Sequence, residues 1–221
     1  MGTIGGNLCL DTRCNYYDQS FAWREAMGFC LKKDGETCWV APASRRCWAV
    51  QSADSAPVVV ALEGLIDVIG PRGPRTIVAR DFFVDDGIDH LGKRADELVI
   101  ALRLPALAAS RSTYLKVAQR GSFDFPVLGV AARVDLERDS GVVRQAQIVL
   151  GAVASAPLPG PRASAARVGP RLEPATIAAA AEAAWRSARP LDNTDQVFGW
   201  RKTVVRPTVT RALEQLTTGA T

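Results

Sequence analysis

The cysteines of this chain are confined to its first 47 residues, although the chain has 221. Four of the five follow one another at spacings of 16, 8 and 9 residues: Cys14, Cys30, Cys38 and Cys47. A segment this rich in thiols either folds around something that the thiols bind or buries each thiol separately in a core. The four-cysteine segment therefore restricts the possible folds more than any other feature.

Three interpretations of the four cysteines are open. Disulfides are disfavoured because the N-terminus lacks a charged region followed by an apolar one, so it is not a signal peptide, and we expect a cytoplasmic protein with reduced thiols. Zinc is disfavoured because structural zinc usually recruits C-x2-4-C pairs, and no gap here is that short. An iron–sulfur cluster tolerates longer gaps and is favoured by the aromatic and small residues nearby: Trp23, Gly28, Phe29, Gly35, Trp39 and Trp48.

Cys9 stands outside this set. It lies five residues before Cys14, beside a glycine pair. We interpret it as a small buried apolar residue rather than a fifth ligand.

Composition excludes several classes of protein. Hydrophobic residues make up 48% and charged residues 23%, which is typical of a globular chain of one large or two ordinary domains. The net charge of +4 is scattered without a basic block, so nucleic acid is not an expected partner. No apolar run reaches the 18 or so residues that a membrane span needs.

The stretch "TIGGN" just before the cysteines comprises Thr3, Ile4, Gly5, Gly6 and Asn7. Adjacent glycines allow backbone amides to approach a phosphate, and the flanking Thr and Asn can add hydrogen bonds. With "ADSAP", "DELVIALRLP" and "YLKVAQRGSFDFPVLGVAARV" further on, the chain resembles the FAD-binding medium subunit of the molybdenum hydroxylases, the xanthine dehydrogenase and carbon monoxide dehydrogenase family.

The resemblance implies a fold and a flavin site. The fold is α+β: the second half of a PCMH-type FAD-binding domain at 1–105, then a C-terminal domain like that of carbon monoxide dehydrogenase flavoproteins at 111–218. The TIGGN-type loop would contact the FAD pyrophosphate and Asp54 the flavin nucleotide. Val99 would contact the flavin ring through its backbone, and Lys116 would lie near the flavin.

The distance from the glycine pair to Asp54 departs from the common family pattern. Ordinary members pass between these motifs in roughly a dozen residues, whereas Asn7 and Asp54 are 47 positions apart here. The surplus, residues 8–50, has the pattern C-x15-C-x7-C-x8-C and resembles the insert of the β subunit of 4-hydroxybenzoyl-CoA reductase. That resemblance implies a [4Fe–4S] cluster on Cys14, Cys30, Cys38 and Cys47.

The same resemblance implies partners and a role in aromatic degradation. Electrons would enter from ferredoxin and pass between the cluster, FAD, a [2Fe–2S] small subunit and a molybdenum-cofactor large subunit, where the substrate reacts. The alternatives are a medium subunit of another aromatic or heterocycle hydroxylase, and a truncated non-catalytic remnant. No catalytic residue is expected in the chain itself, because its single histidine, His90, lies in a loop pattern without an evident nucleophile.

Family members begin with a further subdomain that carries a first glycine-rich loop, and this sequence starts at the second loop. We therefore expect a separate N-terminal FAD subdomain as a partner, or a truncated gene. Without that subdomain we expect weak FAD binding, because half of the pyrophosphate contacts would be missing.

Secondary structure follows from local patterns. "SAPVVVALEG" after Asp54 is predicted to be a short helix with an Asp–Ser cap, and "GLIDVIG" and "RTIVARDFF" a hairpin. "DELVIALRLP", "STYLKVAQR", "VLGVAARVDLE" and "GVVRQAQIVLGAV" are predicted strands, with a domain boundary at residues 106–110 and the turn "RDSG" before the last of them. "PATIAAAAEAAWRSA" is a predicted helix, and a final helix at about 196–216 contains Pro207, which should kink it unless it lies near a break.

Overall fold

A computed structural model of the protein describes residues 2–106, 110–121, 123–137, 142–160 and 171–217. Its helices are α1 (Ile4–Leu8), α2 (Phe21–Ala26), α3 (Ser55–Ala61), α4 (Ala79–Phe82), α5 (Pro174–Ser187), α6 (Phe198–Thr203) and α7 (Val205–Thr217). Its strands are β1 (Leu65–Gly70), β2 (Gly73–Val78), β3 (Leu98–Arg103), β4 (Ser110–Val117), β5 (Leu128–Leu136), β6 (Val143–Gly151) and β7 (Leu158–Pro159).

The strands form two antiparallel sheets, of order β2-β1-β3 and β4-β5-β6-β7. This mixture of helices and antiparallel sheets confirms the predicted α+β class. The predicted boundary at 106–110 includes residues 107–109, and the predicted turn "RDSG" occupies 138–141. Both of these stretches lie outside the described residues.

Strand β5 is the centre of the larger sheet and is buried on both faces. Seven successive residues, 128–134, are buried. Leu128 and Val130 face a core made with α5 and α7, whereas Ala131 faces a second core that includes Val59 and Val60 of α3. Helix α3 comes from the N-terminal part of the chain, so the two halves share a packed interface.

The smaller sheet is built on the predicted hairpin. β1 and β2 pair from Leu65 with Val78 to Gly70 with Gly73, and β3 pairs with the other side of β1. Gly73 has φ of +89°, a conformation that favours glycine, and this explains why the turn predicted in "PRGP" forms at this position. The hairpin is confirmed, but the predicted second strand "RTIVARDFF" is wrong in its last part, because β2 ends at Val78 and Ala79–Phe82 form α4. Ala79 and Phe82 lie three positions apart and are both buried in the core that includes α3, which suits a helical turn and not a strand.

The C-terminal helices differ from prediction in one respect. Helix α5 begins at Pro174 as predicted, because a proline costs nothing at a position whose N–H has no helical partner. The single helix predicted at about 196–216 is instead two, α6 and α7, which meet at Val204. Pro207 therefore lies in the first turn of α7, where the carbonyl with which it would clash does not belong to the same helix. In the described ranges, no helix combines the length and apolar character needed to cross a bilayer.

A buried carboxylate anchors the start of β3 to the hairpin. Glu97 is 2% exposed and accepts hydrogen bonds from Arg75 Nε at 2.7 Å and Nη2 at 2.8 Å, and from the Arg94 backbone N–H at 2.6 Å. These bonds, the Arg75 pair above all, lower the pKa of Glu97 from its ordinary 4.5 to about 2. The ionised form of Glu97 is thus favoured by folding.

We expect Glu97→Gln to lower the free energy of unfolding at pH 7, with the difference from wild type vanishing towards pH 2. The folded-state pKa lies below the unfolded one, so this stabilisation is present above pH 4.5 and is lost as the pH falls through 2. The measurement is the urea midpoint as a function of pH. Asp96→Asn removes a half-exposed carboxylate 3.8 Å from Arg72 and should leave the midpoint nearly unchanged. Equal effects of the two substitutions would contradict the assignment.

Candidate functional site

A groove of about 280 Å³ lies where α1, the start of α3 and residues 123–125 meet. Thr3, Gly6, Asn7, Asp54 and Asp124 line it, together with Gly2, Leu10, Ser52, Phe123 and Phe125. Four of these lining residues, Thr3, Gly6, Asn7 and Asp54, were predicted from the sequence as one site. The structure brings them together although Asp54 is 47 positions from Asn7.

The predicted glycine loop is the first turn of α1. Thr3 caps this helix, because its Oγ1 accepts a hydrogen bond from the Gly6 N–H at 3.0 Å. Asn7 Oδ1 accepts hydrogen bonds from Ser55 N at 3.0 Å and Ser55 Oγ at 2.5 Å, which ties α1 to the start of α3. The Gly6 amide is therefore already bonded within the chain.

The residues next to the glycine pair have different environments. Ile4 is exposed. Gly5 packs against β3, where a Cβ built on the glycine would lie 3.9 Å from Val99 Cγ1. Val99 therefore lies behind the glycine turn, as a neighbour of the groove.

Asp54 joins the two halves of the chain at the groove. Its carboxylate accepts hydrogen bonds from Tyr114 Oη and Lys116 Nζ, each at 2.8 Å. The predicted helix after Asp54 is confirmed as α3, but the predicted carboxylate cap is wrong, since no side-chain capping bond forms. The carboxylate points to β4 instead, because the hydrogen bonds from the Lys116 ammonium and the Tyr114 hydroxyl are stronger than those that the backbone amides of α3 would offer.

Lys116 extends this connection to the far wall of the groove. Its Nζ also donates to the backbone oxygen of Asp124 at 2.5 Å. The Asp124 carboxylate accepts hydrogen bonds from the backbone N–H groups of Gln119, Arg120 and Phe125, so it shapes the turn. Lys116 and Asp124 together hold the segment that carries Phe123 and Phe125.

Two pKa shifts follow from this geometry. Burial, helped by the Asp54 charge, raises the pKa of Tyr114 far above its ordinary value, so Tyr114 stays a donor at neutral pH. Burial acts to raise the pKa of Asp124, but the N–H groups of Arg120 and Phe125 outweigh it and the pKa is lowered.

The cysteine segment forms a closed loop between α1 and α3. Its ends pair with each other, since Arg13 N donates to Val50 O at 2.9 Å and Val50 N to Arg13 O at 2.7 Å. The four predicted cysteines are 4–7% exposed, and all four line one small cavity of about 10 Å³. Cys9 is half-buried, packs against the α3 core and does not line this cavity.

Burial disfavours the thiolate form of two of the four cysteines, Cys14 and Cys47. Burial raises the pKa of Cys14 to about 11, although hydrogen bonds from the Tyr16 and Tyr17 N–H groups act to lower that pKa. It raises the pKa of Cys47 to about 11 as well, although the Lys32 ammonium acts in the opposite direction. Cys14 and Cys47 are therefore poor nucleophiles and disfavoured as free thiolates.

Two other segments hold the cysteine loop in place. Gly87 N donates to Cys47 O at 2.9 Å, and a Cβ on Gly87 would come within 2.6 Å of Cys47 Sγ. Asp85, two residues earlier, pairs with Arg46 at 3.0 Å and Arg189 at 3.3 Å. On the other side Asn193 Nδ2 donates to Trp48 O at 2.6 Å.

A cluster of polar groups lies beside the cysteine cavity. Lys32, which lines the cavity, donates to Asp11, Thr12 and Gly87. His90 Nδ1 lies 4.0 Å from Asp11 Oδ1 and 3.1 Å from Ile88 O, so the single histidine lies at the edge of this cluster. Across the ranges that the structure describes, no three His, Cys, Asp or Glu side chains form a group that could hold one metal ion.

The sequence alone did not identify Tyr114, Ser55, Lys32 or Gly87. Tyr114 was within reach, because it lies two residues before Lys116 and alternate residues of a strand share a face. The contacts of Lys32 and Gly87 span 20 to 75 positions and follow no local pattern.

Comparisons with known proteins match each half of the chain to a flavoprotein domain. Residues 1–107 match the FAD-binding domain of molybdopterin dehydrogenases, and residues 113–216 match the carbon monoxide dehydrogenase flavoprotein C-terminal domain. The chain belongs to the family of FAD-binding subunits of the molybdenum hydroxylases.

Individual relatives of this molybdenum hydroxylase flavoprotein give the extent of the likeness. The aldehyde oxidoreductase FAD-binding subunit PaoB of Escherichia coli is 30% identical over 164 residues, which are 70% of this chain and 50% of that protein. A chain of carbon monoxide dehydrogenase from Hydrogenophaga pseudoflava superposes with a TM-score of 0.67 at 26% identity, over 73% of this chain and 55% of that one. Reconstituted CO dehydrogenase from Oligotropha carboxidovorans gives 0.68 at 22% identity, over 76% and 57%. The chain thus spans about half the length of these relatives.

We expect Gly87→Ala to destabilise the protein by about 1–3 kcal/mol, because the new methyl group would collide with Cys47 Sγ and with the backbone N of Ala49 at 2.7 Å. The measurement is the free energy of unfolding from denaturant titration. Gly199→Ala, on exposed α6 with open space around the site, is the matched control and should be neutral or slightly stabilising. A neutral Gly87→Ala would mean that this loop does not pack on Cys47 as described.

Proposed function

We propose that this flavoprotein transfers electrons through an FAD and a [4Fe–4S] cluster, as a subunit of a molybdenum oxidoreductase like 4-hydroxybenzoyl-CoA reductase. The observation that carries the proposal is that Cys14, Cys30, Cys38 and Cys47 line one buried cavity. A cavity that brings together four thiols from residues 14–47 offers the set of ligands that a [4Fe–4S] cluster needs. The match to the FAD-binding domain supplies the flavin half of the proposal.

The donor set suits a cluster better than one ion. Four thiolates are the usual ligands of a [4Fe–4S] cluster, and each binds a different iron, so their sulfurs lie further apart than those around one zinc. The cavity has room for about one water, so the side chains would move outward on loading. Gly87 is suited to this place, because any larger residue there would collide with Cys47 Sγ.

The groove suits the phosphate and ribose part of FAD. Thr3, Gly6 and Asn7 line one wall, and Asp54 supplies a carboxylate that can accept a hydrogen bond from a ribose hydroxyl. Phe123 and Phe125 supply apolar rings on the other wall. FAD, when bound, accepts and releases electrons singly or in pairs, and the protein's part is to position it and exclude water.

The rest of the assembly follows from the resemblance. We assign the substrate chemistry to a molybdenum-cofactor large subunit, with a [2Fe–2S] small subunit in between and ferredoxin as the electron donor, all in the cytoplasm. In this chain residues 1–105, with the iron–sulfur loop at 8–50, would form the flavin half, and 111–218 the C-terminal domain. None of its own residues would act on the substrate.

A second candidate is a hydroxylase subunit with electrons flowing outward from the substrate. The likeness to the aldehyde oxidoreductase subunit favours it. The two candidates share every feature of this chain, because the substrate site lies in another subunit. They separate when the purified complex is offered reduced ferredoxin or an aromatic aldehyde and reduction of its chromophores is followed by absorbance.

We expect anaerobically purified protein to contain about four iron and four sulfide per chain, with a brown colour. Cys30→Ser should lose the iron, because it removes one of four cluster thiolates. Cys9→Ser is the matched control and should keep the iron, since Cys9 lies outside the cavity. The measurement is iron and acid-labile sulfide per chain. Stoichiometric zinc without sulfide, or equal loss in both variants, would contradict the proposal.

We expect Lys116→Met to weaken FAD binding by about tenfold or more. The bond from Lys116 to the Asp124 carbonyl contributes roughly 1.5–3 kcal/mol to the order of the groove wall. In the variant FAD would have to order this wall as it binds, and each 1.4 kcal/mol spent in this way lowers the affinity about tenfold. The loss would come from the groove wall at residues 123–125, which Lys116 holds. The measurement is FAD retained by the assembled enzyme during dialysis. Arg120→Gln, at an exposed residue 3.5 Å from Asp124, should retain FAD, and equal retention by both variants would contradict the role of Lys116.

A further inference from the structure

Lys32 is a buried cation beside the cysteine cavity. Its side chain is 7% exposed, and its Nζ donates to Asp11 Oδ1 at 2.7 Å, Thr12 Oγ1 at 2.6 Å, Thr12 O at 2.9 Å and Gly87 O at 3.1 Å. The residue lines the same cavity as the four cysteines. Its position is therefore fixed by contacts with the N-terminal end of the cysteine loop and with the Gly87 segment.

The charge of Lys32 is only weakly balanced. The carboxylate that it contacts, Asp11, is 59% exposed, so water screens that carboxylate much more than the ammonium. The other three acceptors are neutral oxygens. The Nζ also lies 4.7 Å from the centroid of the Tyr17 ring, which lines the cavity as well.

Neighbouring cations are arranged differently. Lys33 is 55% exposed and pairs with Asp34 at 3.1 Å in solvent. Arg46 pairs with Asp85 at 3.0 Å and covers the Trp48 ring at 3.7 Å. Among these three, Lys32 alone combines burial with a place in the wall of the cysteine cavity.

We propose that Lys32 is the fixed positive charge that raises the reduction potential of the cluster held by Cys14, Cys30, Cys38 and Cys47. This inference rests on the cluster of the proposed function. A cluster ligated by four thiolates is anionic, and one-electron reduction adds a negative charge without breaking a bond. A nearby buried cation therefore stabilises the reduced form more than the oxidised form, and little solvent screens it.

The test compares variants of the full chain, loaded with iron and sulfide, in anaerobic redox titrations followed by electron paramagnetic resonance. We expect Lys32→Gln, which removes the charge and keeps a donor, to lower the ratio of reduced to oxidised cluster at a set potential at least tenfold. For a one-electron couple this is a shift of about −59 mV. Lys33→Gln is the matched control one residue away and should change the ratio by less than about threefold. Lys32→Arg should restore it.

The outcomes separate the two proposals. A wild-type chain that binds no cluster overturns the proposed function and the role of Lys32 together. A loaded wild type with an unchanged potential in Lys32→Gln, or an equal shift in Lys33→Gln, overturns only the role of Lys32.

If Lys32→Gln does not keep its cluster, the same titration is made with Asp11→Asn. Asp11 is exposed, and the asparagine side chain keeps an oxygen that can accept the hydrogen bond from Lys32. Removing this negative charge beside Lys32 is expected to raise the ratio of reduced to oxidised cluster at least twofold. No rise would overturn the inference.

Discussion

The burial of β5 on both faces is the constraint on which the rest of the structure depends. A strand with seven successive apolar or buried residues needs a cover on each side, and α5 and α7 cover only one. Helix α3 supplies the other cover. Because α3 must lie there, its first residues come next to β4, and Asp54 meets Tyr114 and Lys116. The groove between the two halves is thus a consequence of packing.

The position of the cysteine loop also follows from this packing. The loop leaves the chain after α1 and returns just before α3, and these two helices are already joined by the Asn7–Ser55 hydrogen bonds. An insertion whose ends are held close together costs little chain entropy, because loop closure depends only slowly on length. The Arg13–Val50 pair then closes the loop, so it can fold as a unit on the side of the groove.

The two candidate sites are close in structure because they share this framework. Leu10 lines the groove and its carbonyl accepts from Gln51 Nε2 at 3.3 Å, at the base of the cysteine loop. The same loop contacts Gly87 and Asp85 on one side and Asn193 on the other. Buried Arg201 supports the latter segment through Leu191 O at 3.0 Å, and burial lowers its pKa to about 10. The cysteine loop is thus held by contacts with the groove side, with the segment of Asp85 and Gly87, and with the segment of Asn193.

Elements that depend on neighbouring residues could be predicted from the amino-acid sequence. The hairpin around "PRGP", the strands of the larger sheet and the start of α5 at Pro174 follow from alternation, turn residues and the geometry of proline. The site residues Thr3, Gly6, Asn7 and Asp54 were predicted together because their motifs resemble a known family. The break between the helices at Val204 depends on tertiary packing, and so does the use of the Asp54 carboxylate in an ion pair with Lys116 rather than as a helix cap. Tertiary packing also decided the placement of Lys32 and Gly87 beside the thiols. Each of these depends on partners far away in the chain, whose contact energies outweigh a local preference worth about 1 kcal/mol.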